Sequence, residues 1–257
     1  MGVTGSNHRN LTADRAIQLL LLYDDDRPVL TAAEVAERLG MSRSTTYRYL
    51  QSLRAAGMLE EDARGFRLGM RIFQLAHIAR KGLGLSEVAL PVMRRLAEQT
   101  GETVLLTRRV GHRVVCLERE ESTHHLRLSY ERGQILPIHA GASGLVLLAW
   151  LTAQELDEVL RAAPLEQFTP STTTDPQVLR ARLAEIRKVG YCVTFGERDP
   201  GVVGVAAPVR GRHGAVVAGL SVVMPQPRMD VDMLQSTIDL VTTSAEEIGA
   251  AVRLIDS

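Results

Sequence analysis

The part of this sequence that most constrains the fold predicts two short helices separated by a tight turn. Thr31 is followed three residues later by Glu34, the spacing of a capping box, in which each side chain binds a free amide group at a helix start. Gly40 tolerates the positive φ that ends a helix, and Ser42 can cap a second helix that runs to about Ala56. Two short helices joined in this way predict a helix-turn-helix.

The second helix of the pair is expected to have one face in the core and one face in solvent. Helical spacing places four residues on the inward face: Thr46, Tyr49, Leu50 and Leu53. The outward face carries guanidinium and hydroxyl groups, on Arg43, Ser44, Thr45, Tyr47 and Arg48. Such groups contact phosphates and base edges, and the first turns of this helix enter the major groove in this motif. We therefore predict that these five residues bind DNA; an ordinary solvated helix surface is the alternative.

A predicted β-hairpin follows directly after this helix. Residues 58–61 and 66–68 form two very short strands in this prediction, around a tip that contains Arg64 and Gly65. A hairpin in this position is a wing, which brings Arg64 and the nearby Arg67 close to a phosphate or the minor groove. An exposed arginine at a turn is common in any protein, so the wing supports DNA binding only together with the preceding helices.

The charge distribution agrees with a polyanionic partner for the N-terminal part of the chain. Residues 1–82 carry 12 Arg and Lys against 9 Asp and Glu, a net charge of +3, and the remainder carries 18 against 21, a net charge of −3. The contrast is modest, so charge alone does not establish DNA binding.

Membrane insertion, zinc binding and disulfide cross-links are not predicted. No apolar run reaches the roughly 18 to 20 residues that span a bilayer, and the N-terminus lacks a secretory pattern, so a cytoplasmic location is expected. Cys116 and Cys192 lack the paired spacing of a zinc site or a disulfide framework, which favours buried, reduced thiols. We predict no metal and no cofactor.

Two domains are expected, because 257 residues exceed the roughly 100 to 150 residues of a typical domain. An apolar stripe predicts a helix over residues 69–83, for which packing on the same helix of a second subunit is the preferred interpretation. The last helix, from residue 231, has a narrow apolar seam that favours packing on a helix over residues 85–100. Other helices are predicted at 11–24, with Ile17 on the buried face, at 142–150, at 152–162 and at 176–189. Strands are predicted at 103–109, 114–120, 126–130, 204–209 and 215–223.

Further motifs in both halves of the chain point to a known family. In the N-terminal part they are Arg15-Ala16, Ser44-Thr45, Arg48 and residues 66–69. In the C-terminal part they are residues 138–144, Gly190-Tyr191, Glu197, Gly201-Val202, residues 206–209 and Gly214. With these motifs in this order, the chain resembles the IclR family of bacterial transcriptional regulators over nearly its whole length.

The resemblance implies an α+β fold. A disordered N-terminus, residues 1–10, would precede a winged helix-turn-helix DNA-binding domain, residues 11–69, and a linker helix, residues 70–84. Residues 85–257 would form a GAF-like effector-binding and oligomerisation domain, with a mainly antiparallel sheet flanked by helices. The resemblance also implies a homodimer or homotetramer, and a two-fold symmetric dimer matches a near-palindromic operator in double-stranded DNA.

The best ligand site in the C-terminal domain is a predicted helix start with small residues, Ala142, Ser143 and Gly144. A ligand can approach backbone amides there and the helix dipole favours an anion, although such residues are also ordinary close-packing residues. The resemblance implies that a small organic acid binds here, at positions that correspond to Leu128, Leu136, Ala142, Ser143, Thr194, Glu197, Gly204, Ser221 and Val223. Because none of these is Arg or Lys, we expect hydroxyl donors to meet the charge of the acid. Leu145 stands where the family often has Lys.

Two other functions stay open at this point. Ser143 lies four residues after His139, and a nucleophile near a base is the minimum for an acyl-transfer enzyme, but no Gly-x-Ser-x-Gly motif and no third residue accompany them. A metal site at His124, His125 and His139 lacks suitable spacing and a carboxylate partner. In the second alternative, the protein binds DNA and its C-terminal domain only forms oligomers. The predicted function is a DNA-binding regulator, not an enzyme, whose operator binding depends on a small-molecule effector.

Overall fold

The computed structural model describes residues 11–24, 26–82, 84–124, 128–162 and 164–255. The chain divides into two compact units, with the boundary between Gly82 and Leu83, and each unit is described by itself. The segment predicted as a disordered N-terminus, residues 1–10, lies outside the described residues. The finer division into domains at 11–69, 70–84 and 85–257 stays a prediction.

The N-terminal unit is a helix-turn-helix with a small sheet. Its elements are α1 (Leu11–Leu20), β1 (Val29–Leu30), α2 (Ala32–Leu39), α3 (Arg43–Ala55), β2 (Leu59–Asp62), β3 (Gly65–Leu68) and α4 (Met70–Gly82). Both strand pairs are antiparallel, in the order β1-β3-β2. The fold predicted for this unit, a winged helix-turn-helix followed by a further helix, is confirmed.

Local hydrogen bonds set the ends of α2. The Thr31 amide donates to Glu34 Oε2 at 2.7 Å, and the Glu34 amide donates to Thr31 Oγ1 at 3.3 Å, which completes the predicted capping box. The Thr31 amide and the Thr31 hydroxyl both donate to the Glu34 carboxylate, and these two bonds lower the pKa of the Glu34 carboxyl. Gly40 has φ 59° and closes the helix as predicted.

The core of this unit contains one buried side chain from each of six elements: Leu19, Leu30, Val35, Leu50, Leu59 and Phe66. The predicted inner face of α1 is wrong, because Leu19 is fully buried while Ile17 is 55% exposed. The run of four leucines from Leu19 supports more than one helical register, and the helix ends at Leu20 instead of residue 24. Strand β1 was not predicted, since two residues give no periodicity.

The C-terminal unit contains one sheet with helices on both faces. Its elements are α5 (Leu85–Thr100), β4 (Thr103–Val110), β5 (Arg113–Glu120), β6 (Ile135–Leu136), α6 (Ala142–Leu148), α7 (Ala153–Ala162), α8 (Pro176–Val189), β7 (Cys192–Phe195), β8 (Val202–Arg210), β9 (Val216–Pro225) and α9 (Val231–Ile255). The strand order is β6-β5-β4-β9-β8-β7, and every pair is antiparallel. The predicted antiparallel sheet flanked by helices is confirmed.

Alternating residues of the strands enter two different cores. On one face of the sheet, Leu106, Val205 and Leu220 pack with side chains of α5 and α9. On the other face, Leu105 and Ala206 pack with side chains of α6 and α8. Helix α9 also packs on α5, as its apolar seam predicted.

The sheet differs from the prediction at its two edges. The strand expected at 126–130 is absent at residues 128–130, and residues 126 and 127 lie outside the described part of the chain. The edge of the sheet is formed instead by β6, which pairs with Val114 and Val115 of β5. Strand β7 forms the opposite edge and was not among the predicted strands.

Candidate functional site

The exposed face of α3 carries the residues predicted to bind DNA. Ser42 caps the helix by accepting a hydrogen bond from the Thr45 amide at 3.3 Å, and its hydroxyl donates to Thr45 Oγ1 at 2.9 Å. Thr46 and Leu50 are fully buried and fix the rotation of the helix. As a result Arg43, Ser44, Tyr47 and Arg48 are exposed, and Thr45 is half-buried.

The arginines of α3 and of the wing differ in their partners. Within the described residues, neither Arg43 nor Arg48 forms an ion pair or a side-chain hydrogen bond. Arg67 donates to Glu60 Oε2 from Nε at 3.1 Å and from Nη2 at 2.8 Å. Arg64 Nη2 lies 3.6 Å from Asp62 Oδ2. Among the described residues the charges of Arg43 and Arg48 are therefore unpaired, whereas both wing arginines already face a carboxylate.

Tyr47 also has a structural contact. Its ring packs edge-on against Phe66 of β3, with the ring centroids 6.3 Å apart. Tyr47 is nevertheless 48% exposed, so its hydroxyl end remains accessible while the ring helps to hold the wing against α3.

A cavity lies in the C-terminal unit where α6 begins, between α6, the ends of β7 and β8, and β9. Its volume is about 30 Å³. Seven of the nine residues predicted for an effector line this cavity: Leu136, Ala142, Ser143, Thr194, Glu197, Gly204 and Val223. Ser221 lies directly behind the lining, and Leu128 packs in the neighbouring core without reaching the cavity.

Hydroxyl groups form one side of the cavity. Ser143 Oγ and Ser221 Oγ are 2.7 Å apart and share a hydrogen bond, and Thr194 Oγ1 accepts a hydrogen bond from the Ala142 amide at 3.2 Å. Each of these bonds uses only part of the hydrogen-bonding capacity of the hydroxyl groups. A proton on Thr194 and one on the serine pair remain able to reach a ligand.

The prediction that hydroxyl donors would meet the charge of an acid did not include one cation of the cavity lining. Arg198 lines the cavity, with its guanidinium carbon 5.2 Å from the Tyr130 ring centroid and its Nε 3.6 Å from Asp199 Oδ2. Tyr130 and Asp199 also line the cavity and were not predicted. The sequence contained one signal for these missed residues, a run of three charged side chains from Glu197 to Asp199 between two glycines. In the structure this loop borders the cavity.

Glu197 is the most buried charged residue of the cavity lining, with 6% exposure. Its Oε1 accepts a hydrogen bond from Arg182 Nη2 at 2.5 Å, while its buried Oε2 has no hydrogen-bond partner among the described residues. The Thr172 hydroxyl donates to the Glu197 carbonyl, and the Thr169 hydroxyl donates to the Gly196 carbonyl, both at 2.6 Å. The position of the Glu197 carboxylate is therefore fixed by both its side chain and its backbone.

The geometry around Ser143 does not match a hydrolytic site. His139 Nε2 lies 2.9 Å from the Glu166 carbonyl oxygen and its ring packs against Phe168, whereas the hydroxyl partner of Ser143 is Ser221. Among the described residues, no three His, Cys, Asp or Glu side chains come together as metal ligands. In the same part of the chain, no helix has the length and apolar character needed to cross a membrane.

Two family models match the chain and together cover most of it. One is described as the IclR helix-turn-helix domain and matches residues 12–63, and the other is described as bacterial transcriptional regulator IclR C-terminal and matches residues 77–250. The chain belongs to the IclR family. Members of the IclR family are transcriptional regulators and not enzymes, which agrees with the contacts of Ser143 and His139.

Individual IclR relatives match over almost their whole length. The HTH-type transcriptional regulator BhcR of Paracoccus denitrificans is 36% identical over 91% of this chain and 85% of its own. The crystal structure of a putative IclR regulator from Silicibacter has a TM-score of 0.87 and 31% identity, over 94% of this chain and 96% of that one. An IclR homologue from Microbacterium hydrocarbonoxydans, complexed with 4-hydroxybenzoate, has a TM-score of 0.80 and 32% identity, over 94% and 99%.

Proposed function

We propose that this IclR-family regulator binds a near-palindromic operator through α3 and the wing, and that a small organic acid in the cavity changes its affinity for that operator. The observation that carries the proposal is the presence, on one cavity, of the Arg198 guanidinium and of the hydroxyl groups of Ser143 and Thr194. A cation and neutral donors are the groups that proteins use to bind a carboxylate.

On the DNA side, the proposal assigns the contacts to Arg43, Ser44, Thr45, Tyr47, Arg48, Arg64 and Arg67. Arg43 and Arg48 would supply most of the electrostatic attraction, because the described residues leave their charges unpaired. The pairing of Arg67 with Glu60 reduces its net contribution, since a phosphate must compete with a carboxylate 2.8 Å away.

A comparison of two arginine variants tests these assignments. Footprinting first locates the operator, and fluorescence anisotropy then measures binding to this duplex at several salt concentrations. Arg48→Ala is expected to lower the affinity about tenfold or more and to reduce the slope of log K against log salt by about 1. Arg67→Ala serves as the matched control, with a smaller effect on both quantities. Equal effects of the two variants would contradict the role of the unpaired charge, and an unchanged footprint with Arg48→Ala would contradict the assignment of α3.

On the effector side, the 4-hydroxybenzoate complex of the Microbacterium homologue supports an acid as ligand. An acid that binds only the folded protein must raise its melting temperature. We expect a rise with at least one small carboxylate and a loss of that rise in Arg198→Ala. If no acid in a wide panel changes the melting temperature, the C-terminal unit only forms oligomers, which is the second candidate function.

The remaining parts of the proposal concern assembly and location. The apolar residues exposed on α4 support a homodimer or homotetramer, whose two-fold symmetry would match two operator half-sites. A cytoplasmic location is expected for a protein that binds chromosomal DNA and stays a prediction.

A further inference from the structure

We propose that the effector is an acid that also carries a hydrogen-bond donor, a hydroxyl or ammonium group, and that Glu197 binds this donor through Oε2. This inference rests on the proposed function and adds the chemical class of the ligand: a small hydroxy acid or amino acid instead of a plain carboxylate.

The starting point is the incomplete hydrogen bonding of Glu197. The residue lines the cavity and is 94% buried, and Oε1 is held by Arg182, which also donates to the Val193 carbonyl oxygen at 3.2 Å. Within the described residues, nothing donates to Oε2. A buried carboxylate oxygen without a partner is unfavourable, so a donor inside the cavity would stabilise it.

The charges around the cavity indicate which second group the ligand carries. Arg182 compensates the charge of Glu197, so the carboxylate offers a free acceptor atom without an unbalanced negative charge. Arg198 follows Glu197 directly in the chain and supplies a cation on the same cavity. A ligand whose carboxylate meets Arg198 and whose donor meets Glu197 therefore needs to carry both groups.

The same arrangement disfavours acids that lack the donor. Such an acid would fill the cavity and leave Oε2 unpaired, whereas an acid with a donor would supply the missing hydrogen bond. Sites built to bind a hydroxyl reject analogues without it much more strongly than apolar pockets reject a missing methyl group. We expect a preference of at least about tenfold for the donor-bearing acid.

Matched pairs of acids test the inference on the full-length wild-type protein. The pairs are glycolate and acetate, lactate and propionate, 3-hydroxybutyrate and butyrate, alanine and propionate, and 4-hydroxybenzoate and benzoate, with dissociation constants from isothermal titration calorimetry. Because each pair differs by one donor, this comparison needs no variant. At least one pair should show the tenfold preference.

A variant then assigns the preference to Glu197. In Glu197→Gln the single carbonyl oxygen of the amide stays with Arg182, so the amide nitrogen, itself a donor, takes the place of Oε2. The preference for the donor-bearing acid should fall to about twofold or less, because this acid should bind Glu197→Gln more weakly than it binds the wild type. Glu166→Gln is the control, since the same chemical change is made on an exposed side chain. Circular dichroism and operator binding check that both variants are folded.

The outcomes separate this inference from the proposed function. Acids that bind equally well with and without the donor, or a preference that survives in Glu197→Gln, overturn the role of Glu197 and leave an acid effector in place. If no acid of either kind binds the wild-type protein, the proposed acid effector fails, and this inference with it.

Discussion

The arginines of the N-terminal unit differ in the positive charge that they can offer to DNA, because some of them are paired with a carboxylate. Glu60 and Arg67 stand directly opposite each other in the β2–β3 register, and the next residue of β2, Glu61, pairs with Arg54 of α3. The wing therefore contributes less positive charge than its arginines suggest. This pairing follows from the register of the hairpin, which is set by the two-residue turn at Ala63 and Arg64.

The two cysteines permit a simple prediction at the residue scale. Burial raises the pKa of the Cys116 thiol to about 11 and that of the Cys192 thiol to about 12, and both side chains are buried. Since the thiolate is the reactive form, neither group should react with Ellman's reagent at pH 8 in the folded protein.

Unfolding in guanidinium chloride provides the control for the thiol assay. Both thiols should then react at once, in agreement with the two cysteines of the sequence. A fast-reacting thiol in the native protein would show that the core they share, on the α6 and α8 side of the sheet, opens near β5 or near β7 more readily than the described packing implies.

At the scale of elements, α9 lies very close to the sheet because of one glycine. A Cβ atom on Gly249 would come within 2.6 Å of the Arg210 carbonyl oxygen at the end of β8. The same carbonyl accepts a hydrogen bond from Arg253 Nη1 at 2.9 Å, one turn further along α9. This close approach positions the helix against the sheet face opposite the cavity.

Gly249→Ala is therefore expected to destabilise the protein, although alanine is intrinsically favoured over glycine in a helix by about 1 kcal/mol. The contact with backbone atoms cannot be relieved by a rotamer change, so we expect a net loss of about 1 to 3 kcal/mol in the free energy of unfolding, measured by urea denaturation. Ala250→Ser, at the exposed neighbouring position, should stay within about 0.5 kcal/mol of the wild type. A stabilised Gly249→Ala protein would mean that α9 lies farther from β8.

The elements that the sequence predicted well are those whose limits are set locally. The starts of α2, α3 and α8 follow from Thr31, Ser42 and Asp175, each of which caps its helix through its own side chain. Strands β1, β6 and β7 are only two to four residues long, too short for a periodic pattern, and they depend on pairing with another strand. The position of Arg198 on the cavity depends in the same way on the path of a loop, which no periodicity reveals.

For the whole molecule, the apolar residues on α4 bear on assembly. Met70, Phe73 and Ile78 are 64% to 75% exposed within the single chain. Large exposed apolar side chains on one helix are typical of a surface that another chain covers. Under the proposed function, a second copy of the chain covers this surface and binds the second operator half-site.

Phe73→Glu should weaken this association, because it places a charge in an apolar contact. We expect sedimentation velocity to show a shift towards the monomer, and operator affinity to fall at least about tenfold since both half-sites must be bound together. Gln177→Glu adds the same charge at an exposed position of α8 and should leave both quantities nearly unchanged. If Phe73→Glu behaves like the wild type in both measurements, α4 is not the subunit contact.

The loop between Gly196 and Gly201 also bears on how such a regulator acquires a new signal. Both glycines have positive φ, which fixes the turn, and the two charges proposed to select the ligand stand on consecutive residues within it. Thr169 and Thr172 hold the backbone of this loop through carbonyl groups, so the anchoring does not depend on which side chains the loop carries. Under the two proposals, replacing Arg198 changes the group that meets the acid, and replacing Glu197 together with its partner Arg182 changes the group that meets the donor, while the sheet and the DNA-reading unit stay as they are. The side chains proposed to select the ligand are thus concentrated in one short loop, and this loop is the natural place to begin the design of a biosensor.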